Sequence, residues 1–250
     1  MRLGADDLAR YRAAGHLTVP GVFAPAEMDA AIADLETWGE EFLRELDPAQ
    51  RRWYVDGGVK ARDVLRKLDQ PVFFRPAIRR LACDPRLVEM VEQVLGRGVA
   101  VHFSQVFFKP PEGGGPKPMH QDNAYFGPSD PDGLITAWIA LDDAGAENGC
   151  MEFGEGSHLR PLHAHAAPAD EPFNLQVPEA ATAGQAMTLA PVPKGGVSFH
   201  HGATLHRSGA NRSSKWRRAC AVHYVRHDVD FVRPAWAFDA TKRVAVSRAP

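Results

Sequence analysis

The segment HQDNAYF at residues 120–126 contains two side chains that can bind a metal ion, His120 and Asp122, two positions apart. Alternate side chains of an extended strand point to the same face, so we expect His120 and Asp122 to reach one ion from one stretch of backbone. Much later in the chain, His206 is predicted to supply a third ligand from a second strand. Two imidazoles and one carboxylate form the ligand set that holds non-haem Fe(II) on one face and leaves other positions open.

The tripeptide alone is a weak signal, because the chain contains eleven histidines and chance matches are common. An isolated His or Asp near a turn is more often a surface or capping group than a ligand. Arg217 strengthens the pattern, since it follows His206 by eleven residues and offers a planar guanidinium suited to a carboxylate. Arg218 would point to the opposite face of a strand, so only one of the two arginines can face a pocket. His200 and His201 are expected to support the site or the core.

Several motifs in order along the chain resemble the phytanoyl-CoA dioxygenase family. They are Lys109-Pro110-Pro111, residues 120–126, Ala137-Trp138, Asn148-Gly149-Cys150, Gly156-Ser157-His158, and His206 to Asn211 followed by Arg217. The likeness extends from about Leu65 to Val225, which is most of the chain. It implies a double-stranded β-helix, or jelly roll, whose enzymes use Fe(II), 2-oxoglutarate and O₂ and release succinate and CO₂.

The resemblance also implies roles for individual residues. His120, Asp122 and His206 would be the catalytic metal ligands, and Arg217 would hold the distal carboxylate of 2-oxoglutarate. Further co-substrate contacts are implied at Ser208, Trp138, Gln105, Gln121 and Lys67. A turn serine, a core tryptophan and a solvated lysine are the alternatives for Ser208, Trp138 and Lys67.

Composition limits the class of protein. At 250 residues, with 44% hydrophobic and 24% charged residues, the chain fits one soluble domain with a single core. A net charge of −2 gives no electrostatic reason to expect nucleic acid or a membrane as a partner. The acidic N-terminal residues favour a cytoplasmic location over secretion. Three widely spaced cysteines form neither a disulfide framework nor a zinc motif.

Hydrophobic periodicity predicts helices first and strands afterwards. Helices are expected at residues 5–15, 24–46, 76–83 and 85–97, and strands at 99–109, 133–141, 151–153, 187–189, 196–200 and 216–227. The prediction is a mainly β protein with a helical layer: one domain over residues 1–250, helical over 1–98 and jelly roll over 99–230. Residues 159–184 are expected to form a long loop, either a lid over the site or disordered.

The predicted function is an Fe(II)- and 2-oxoglutarate-dependent dioxygenase that hydroxylates a C–H bond of a small metabolite. Retention of Asp122 favours C–H oxidation, because related halogenases replace this carboxylate with a small residue. The same chemistry could instead give desaturation, epimerisation or ring closure. An acyl-CoA substrate is a further alternative, with Arg75, Arg79 and Arg80 as a possible phosphate patch. A cupin-like binding protein without activity is the alternative from another class, and the oligomeric state stays open.

Overall fold

The computed structural model describes residues 1–56, 64–169, 171, 174–235, 239 and 242–249. The helices in this part are α1 (Ala5–Ala14), α2 (Pro25–Glu45), α3 (Arg51–Tyr54), α4 (Pro71–Phe74), α5 (Pro76–Ala82), α6 (Pro85–Leu95) and α7 (Asp122–Phe126). The strands are β1 (His16–Val19), β2 (Val55–Asp56), β3 (Val64–Leu65), β4 (Lys67–Asp69), β5 (Val99–Lys109), β6 (Lys117–His120), β7 (Leu134–Ala140), β8 (Met151–Gly154), β9 (Met187–Ala190), β10 (Val197–His201), β11 (His206–Ser208), β12 (Arg217–Arg226) and β13 (Val244–Ala245).

The larger sheet contains seven strands within the described residues, in the order β1-β10-β7-β12-β5-β13, with β4 also paired to β5. All of these pairs are antiparallel. The long central strands β5 and β12 are rich in β-branched and aromatic residues, which suit a pleated, buried surface. They pair over ten residues of β12, from Arg217 opposite Lys109 to Arg226 opposite Val99.

The smaller sheet has the order β6-β11-β8-β9 in the described part of the chain and packs against the larger one. Met151 and Phe153 of β8 share a buried apolar cluster with Trp138 of β7 and Ala221 of β12. Two antiparallel sheets packed face to face form a sandwich of the jelly-roll type. The predicted fold class is therefore confirmed.

The helices cover the outer face of the larger sheet. Val106 and Val222 point outward from β5 and β12 into the main apolar cluster, which also contains Leu35 of α2. Their neighbours Gln105 and Ala221 point the other way and line a cavity between the two sheets. Because side chains alternate along a strand, one face of the larger sheet packs against the helices and the other lines the cavity.

The N-terminal part differs from the prediction, because residues 1–98 also contribute strands to the larger sheet. His16–Val19 pairs with β10, and Lys67–Asp69 pairs with β5. Strands of four and three residues are too short for alternation to be recognised in a sequence. The predicted helices and the strands expected from residue 99 onward are confirmed, with ends shifted by one or two residues. No helix in the described ranges is long and apolar enough to cross a membrane.

Candidate active site

Three buried side chains converge where the smaller sheet meets α7. Nε2 of His120 lies 3.8 Å and Nε2 of His206 lies 3.6 Å from Oδ1 of Asp122. One ligand atom from each residue lies within 4.8 Å of the other two, a spacing that suits a single metal ion. The two histidines are direct partners across the antiparallel strands β6 and β11, which explains why residues far apart in sequence meet here.

The local backbone at Asp122 corrects the prediction. Strand β6 ends at His120, Gln121 is still extended (φ −130°, ψ 132°), and α7 begins at Asp122. The two ligands therefore belong to a strand and to the first turn of a helix rather than to one strand. The extended Gln121 is sufficient to turn both side chains to the same side.

Both histidines are oriented for metal binding by hydrogen bonds on the other ring nitrogen. Nδ1 of His120 lies 2.7 Å from the carbonyl of Pro118, and Nδ1 of His206 lies 2.9 Å from the carbonyl of Thr204. A carbonyl can only accept, so each Nδ1 carries the proton and each Nε2 presents its lone pair. Burial lowers the pKa of His120 well below its ordinary value, which keeps the imidazole neutral and able to ligate.

The other carboxylate oxygen of Asp122 is held by the larger sheet. The hydroxyl of Thr136 donates to Oδ2 at 2.6 Å, and Nε2 of His200 lies 3.0 Å from the same atom. Burial acts to raise the pKa of Asp122, but the nearby His206 and the hydrogen bond from His200 outweigh it and hold the pKa well below its usual range. Oδ1 is thus left, ionised, to face the two imidazoles.

The groups beneath Asp122 form one row across three neighbouring strands. His200 of β10 and His223 of β12 are each the direct partner of Thr136 on β7. Nδ1 of His223 lies 2.8 Å from the Thr136 hydroxyl, which already donates its proton to Asp122, so His223 is the donor. His200 supports the site as predicted, whereas Thr136 and His223 were not predicted because only the strand register brings them together.

A cavity of about 1090 Å³, counted with the space at its open mouth, extends from the three ligands. Its lining includes four of the predicted co-substrate residues and Arg217. These are Lys67, Gln105, Trp138, Ser208 and Arg217. Gln121 does not line the cavity, because its side chain donates to the carbonyl of Ala203 and accepts from the amide of His163, so its position does not support the predicted contact.

Arg217 is a buried cation without a carboxylate partner among the described residues. It is 2% exposed, its Nε has no hydrogen-bond partner, and its guanidinium carbon lies 5.5 Å from the centre of the Trp138 ring. Burial lowers the pKa of Arg217 to about 10. Its cross-strand partner is another cation, Lys109, whose Nζ donates to the Ser208 hydroxyl at 2.8 Å. Two like charges directly opposite each other are unfavourable unless an anion joins them.

Lys67 and Gln105 form a small polar group around Asp69 at the side of the cavity. Nζ of Lys67 lies 3.1 Å from Oδ2 of Asp69, and the Gln105 amide donates to Oδ1 at 2.7 Å. Burial lowers the pKa of Lys67. Lys67 is therefore not the solvated surface lysine of the alternative interpretation, since it is buried and lies on β4, which pairs with β5 of the larger sheet.

The loop over residues 159–184 contacts the backbone that carries the ligands. The amide of Gln121 donates to Nε2 of His165 at 3.0 Å, and the amide of Val177 donates to the carbonyl of Met119 at 2.8 Å. Its described residues include the end of a 3-10 turn at Ser157–Leu159, a second 3-10 turn at Glu179–Thr182 and a β-bridge between Ala166 and Gln176. Whether this loop opens and closes as a lid stays a prediction.

A family model and several known proteins match this sequence. Residues 11–219 match the family described as Phytanoyl-CoA dioxygenase (PhyH). A probable alpha-ketoglutarate-dependent hypophosphite dioxygenase of Stutzerimonas stutzeri is 31% identical over 231 residues, which cover 90% of this chain and 79% of the relative. The peroxisomal phytanoyl-CoA dioxygenase of Rattus norvegicus is 29% identical over 163 residues, and the match spans 61% of this chain and about half (47%) of that protein.

Solved structures with the same fold include two alpha-ketoglutarate-dependent enzymes of nogalamycin biosynthesis. The alpha-ketoglutarate-dependent carbocyclase SnoK from nogalamycin biosynthesis matches with a TM-score of 0.76 and 25% identity, over 98% of this chain and 97% of that chain. The epimerase SnoN in complex with Fe³⁺, alpha-ketoglutarate and nogalamycin RO matches with a TM-score of 0.71 and 28% identity, over 93% and 86%. The chain therefore belongs to the phytanoyl-CoA dioxygenase family and is a 2-oxoglutarate-dependent non-haem iron oxygenase.

Proposed function

We propose that this enzyme oxidises a C–H bond of a small molecule at an iron ion held by His120, Asp122 and His206. The observation that carries this proposal is the convergence of two lone-pair-bearing Nε2 atoms and one ionised Oδ1 within 4.8 Å. A structural zinc site would more often be closed by four ligands, frequently thiolates, whereas this set leaves positions open. Iron bound here, with 2-oxoglutarate and O₂, would supply the oxidising power and release succinate and CO₂.

Arg217 is proposed to bind the distal carboxylate of 2-oxoglutarate, with Ser208 and Lys109 beside it. A planar guanidinium can donate two parallel hydrogen bonds to a carboxylate. The buried charge of Arg217 and the opposing charge of Lys109 both favour an anion at this end of the cavity. Trp138 would form the wall against which the co-substrate lies.

The remaining residues orient the ligands and limit access of water. Thr136 and His200 hold one oxygen of Asp122, so that the other stays directed at the metal position. Aromatic side chains, among them Phe103 and Phe126, line the cavity and reduce its water content, which strengthens polar interactions inside. The retained Asp122 favours hydroxylation or another C–H oxidation over halogenation, and a cytoplasmic location stays a prediction from the sequence.

The proposal is tested by anaerobic titration of the apoprotein with Fe(II) and then 2-oxoglutarate, while the weak visible charge-transfer band of the chelate is recorded. We expect the band in the wild type and in His227→Ala, a matched control at an exposed histidine. We expect its loss in His206→Ala. Absence of both the band and 2-oxoglutarate binding in the wild type would favour the alternative of a binding protein without activity. Mass analysis of products then distinguishes hydroxylation, which adds one oxygen, from desaturation and epimerisation.

A further inference from the structure

Lys117 is a second, half-buried cation in the wall of the cavity, separate from the Arg217 end. Its Nζ donates to Oδ1 of Asn174 at 2.7 Å and to the hydroxyl of Tyr125 at 3.1 Å, and both acceptors are neutral. An ammonium group has three N–H donors, so one is left after these two bonds. Within the described residues, no carboxylate lies within ion-pair distance of Lys117.

A β-bulge directs Lys117 into the cavity. His206 pairs with His120, and Ser208 pairs with Lys117, so three residues of β11 lie opposite four residues of β6. Regular alternation would put Lys117 and His120 on opposite faces, because they are three positions apart. The additional residue reverses that and places Lys117 on the same face as the metal-ligating histidine.

The charges around the cavity are unbalanced. In the described part of the chain its lining carries five cationic side chains and a single carboxylate, that of Asp122. The cations are Arg66, Lys67, Lys109, Lys117 and Arg217. Lys67 is paired with Asp69. The charges of Fe(II) and 2-oxoglutarate cancel each other, so the proposed cofactors leave the cationic excess in place. Among the described residues, no carboxylate lies within ion-pair distance of Lys117 or Arg217, and the distal carboxylate of the co-substrate is assigned to Arg217. A charge held away from water without an ionic partner is costly, so a further anion is expected near Lys117.

The surroundings of Lys117 on every side support the same conclusion. Burial, together with the nearby cations Lys67 and Arg66, lowers the pKa of Lys117 to about 7, although Asp122 and Glu171 act in the opposite direction. The Tyr125 ring contacts both ends of the proposed substrate space. Its centre lies 5.4 Å from Nζ of Lys117 and 5.6 Å from the centre of the His120 ring.

We propose that Lys117 binds an oxyanion of the substrate, and that the substrate is therefore a small organic anion. A carboxylate and a phosphonate or phosphate share the chemistry that the ammonium recognises. The proposal rests on the proposed function, because it takes the metal position as the reacting centre. Binding of the anion at Lys117 would place the rest of the molecule along the aromatic wall, towards His120 and Asp122.

The test compares anions with a neutral molecule of the same shape. The anaerobic complex with Fe(II) and 2-oxoglutarate is titrated with butyrate, propylphosphonate and butyramide, by calorimetry and by the change in the charge-transfer band. We expect at least one anion to bind the wild type roughly tenfold or more tightly than butyramide. Lys117→Met should weaken that anion roughly ten- to hundredfold, the value of a charge-assisted hydrogen bond, and leave butyramide unchanged.

Two further variants keep the result interpretable. Lys215→Met removes an exposed lysine and should behave as the wild type. Asn174→Asp keeps Lys117 but gives it an internal carboxylate, and should also weaken anion binding. The affinity of Lys117→Met for 2-oxoglutarate should stay within about twofold of wild type, because that co-substrate is assigned to Arg217 at the other end of the cavity.

The outcomes separate the two proposals. Equal anion affinity in wild type and Lys117→Met overturns the role of Lys117, and so does a wild type that binds 2-oxoglutarate but prefers butyramide or binds neither anion. A wild type that fails to bind 2-oxoglutarate contradicts the proposed function itself. The preferred anion, carboxylate or phosphonate, identifies which of the two groups the substrate carries.

Discussion

Replacing Arg217 by Met should make the apoprotein more stable, although most substitutions of buried residues destabilise. The pKa of Arg217 is lowered from 12.5 to about 10 by burial. Each pKa unit corresponds to about 1.4 kcal/mol, so holding this side chain charged at neutral pH costs the folded state about 3 kcal/mol. Methionine is apolar and flexible and fills part of the same space. After imperfect packing is deducted, we expect the variant to gain about 1–3 kcal/mol in free energy of unfolding.

The order of stability should reverse when the co-substrate is present. A ligand at a hundred times its dissociation constant stabilises the folded state by about 2.7 kcal/mol. Wild type should gain this amount from 2-oxoglutarate in the presence of Fe(II), whereas Arg217→Met should gain little, because it lacks the guanidinium that binds the distal carboxylate. The assay is urea denaturation followed by tryptophan fluorescence, performed anaerobically with chelator alone, with Fe(II), and with Fe(II) and 2-oxoglutarate.

Arg218→Met is the matched control, because Arg218 is adjacent in sequence but has carboxylate partners. Its Nε lies 2.7 Å from Oδ2 of Asp142, and it also pairs with Glu36. This control should lose stability and keep its response to 2-oxoglutarate. An apo Arg217→Met variant that is less stable than wild type by more than about 1 kcal/mol, a single small-cavity effect, would contradict this expectation. Equal stabilisation of the variant and the wild type by 2-oxoglutarate would contradict it as well.

Three other changes probe separate parts of the site. Thr136→Val removes the hydroxyl that donates to Oδ2 of Asp122 at 2.6 Å. We expect the affinity for Fe(II), measured in competition with a chelator, to fall about 10- to 100-fold. An unchanged affinity would exclude an orienting role for Thr136. The pKa of Lys117 is lowered from 10.5 to about 7, so between these pH values the folded protein releases a proton that the unfolded chain retains. The stability of the wild-type apoprotein relative to Lys117→Met should therefore rise with pH from 7 towards 10.5. A stability difference independent of pH would contradict this. Gly149→Ala places a Cβ 2.3 Å from the Gly209 carbonyl oxygen at φ +82°, and should lower the free energy of unfolding by more than the about 1–3 kcal/mol of backbone strain alone. Gly184→Ala, at φ +81° with no atom within 4 Å, measures that strain by itself. Equal losses of stability in the two variants would show that the contact with Gly209 costs nothing.

The sequence was sufficient to predict the residues that meet through local spacing. The two positions from His120 to Asp122 give one shared direction, even though the second residue begins a helix. The interval from His206 to Arg217 and the alternation of β12 separate Arg217, which faces the cavity, from Arg218, which pairs with Asp142 on the other side. The jelly roll followed from short strands after a helical start.

The residues that were not predicted depend on pairing between distant strands. Thr136 and His223 support Asp122 because β7 and β12 pair in one particular register, and no pattern in either strand reveals that register. No local pattern in the sequence identifies Lys117 as a site residue. Strict alternation from His120 would assign it to the opposite face, and only a bulge reverses this. Gln121 was implied as a co-substrate contact by the family resemblance, but its side-chain amide donates to the carbonyl of Ala203 and accepts from the backbone amide of His163.

The hydrogen bonds of Gln121 make the long loop and the metal position parts of one thermodynamic system. Its backbone amide donates to His165 and its side chain accepts from the His163 amide, while the residues on either side of it are the ligands His120 and Asp122. A metal ion that immobilises these two ligands also immobilises the backbone to which the loop is bound. Such coupling is reciprocal: the free energy by which metal binding favours the ordered loop equals the free energy by which the ordered loop favours metal binding. We therefore expect proteolysis at residues 159–169 to slow when the metal binds, a measurement that requires no knowledge of the substrate.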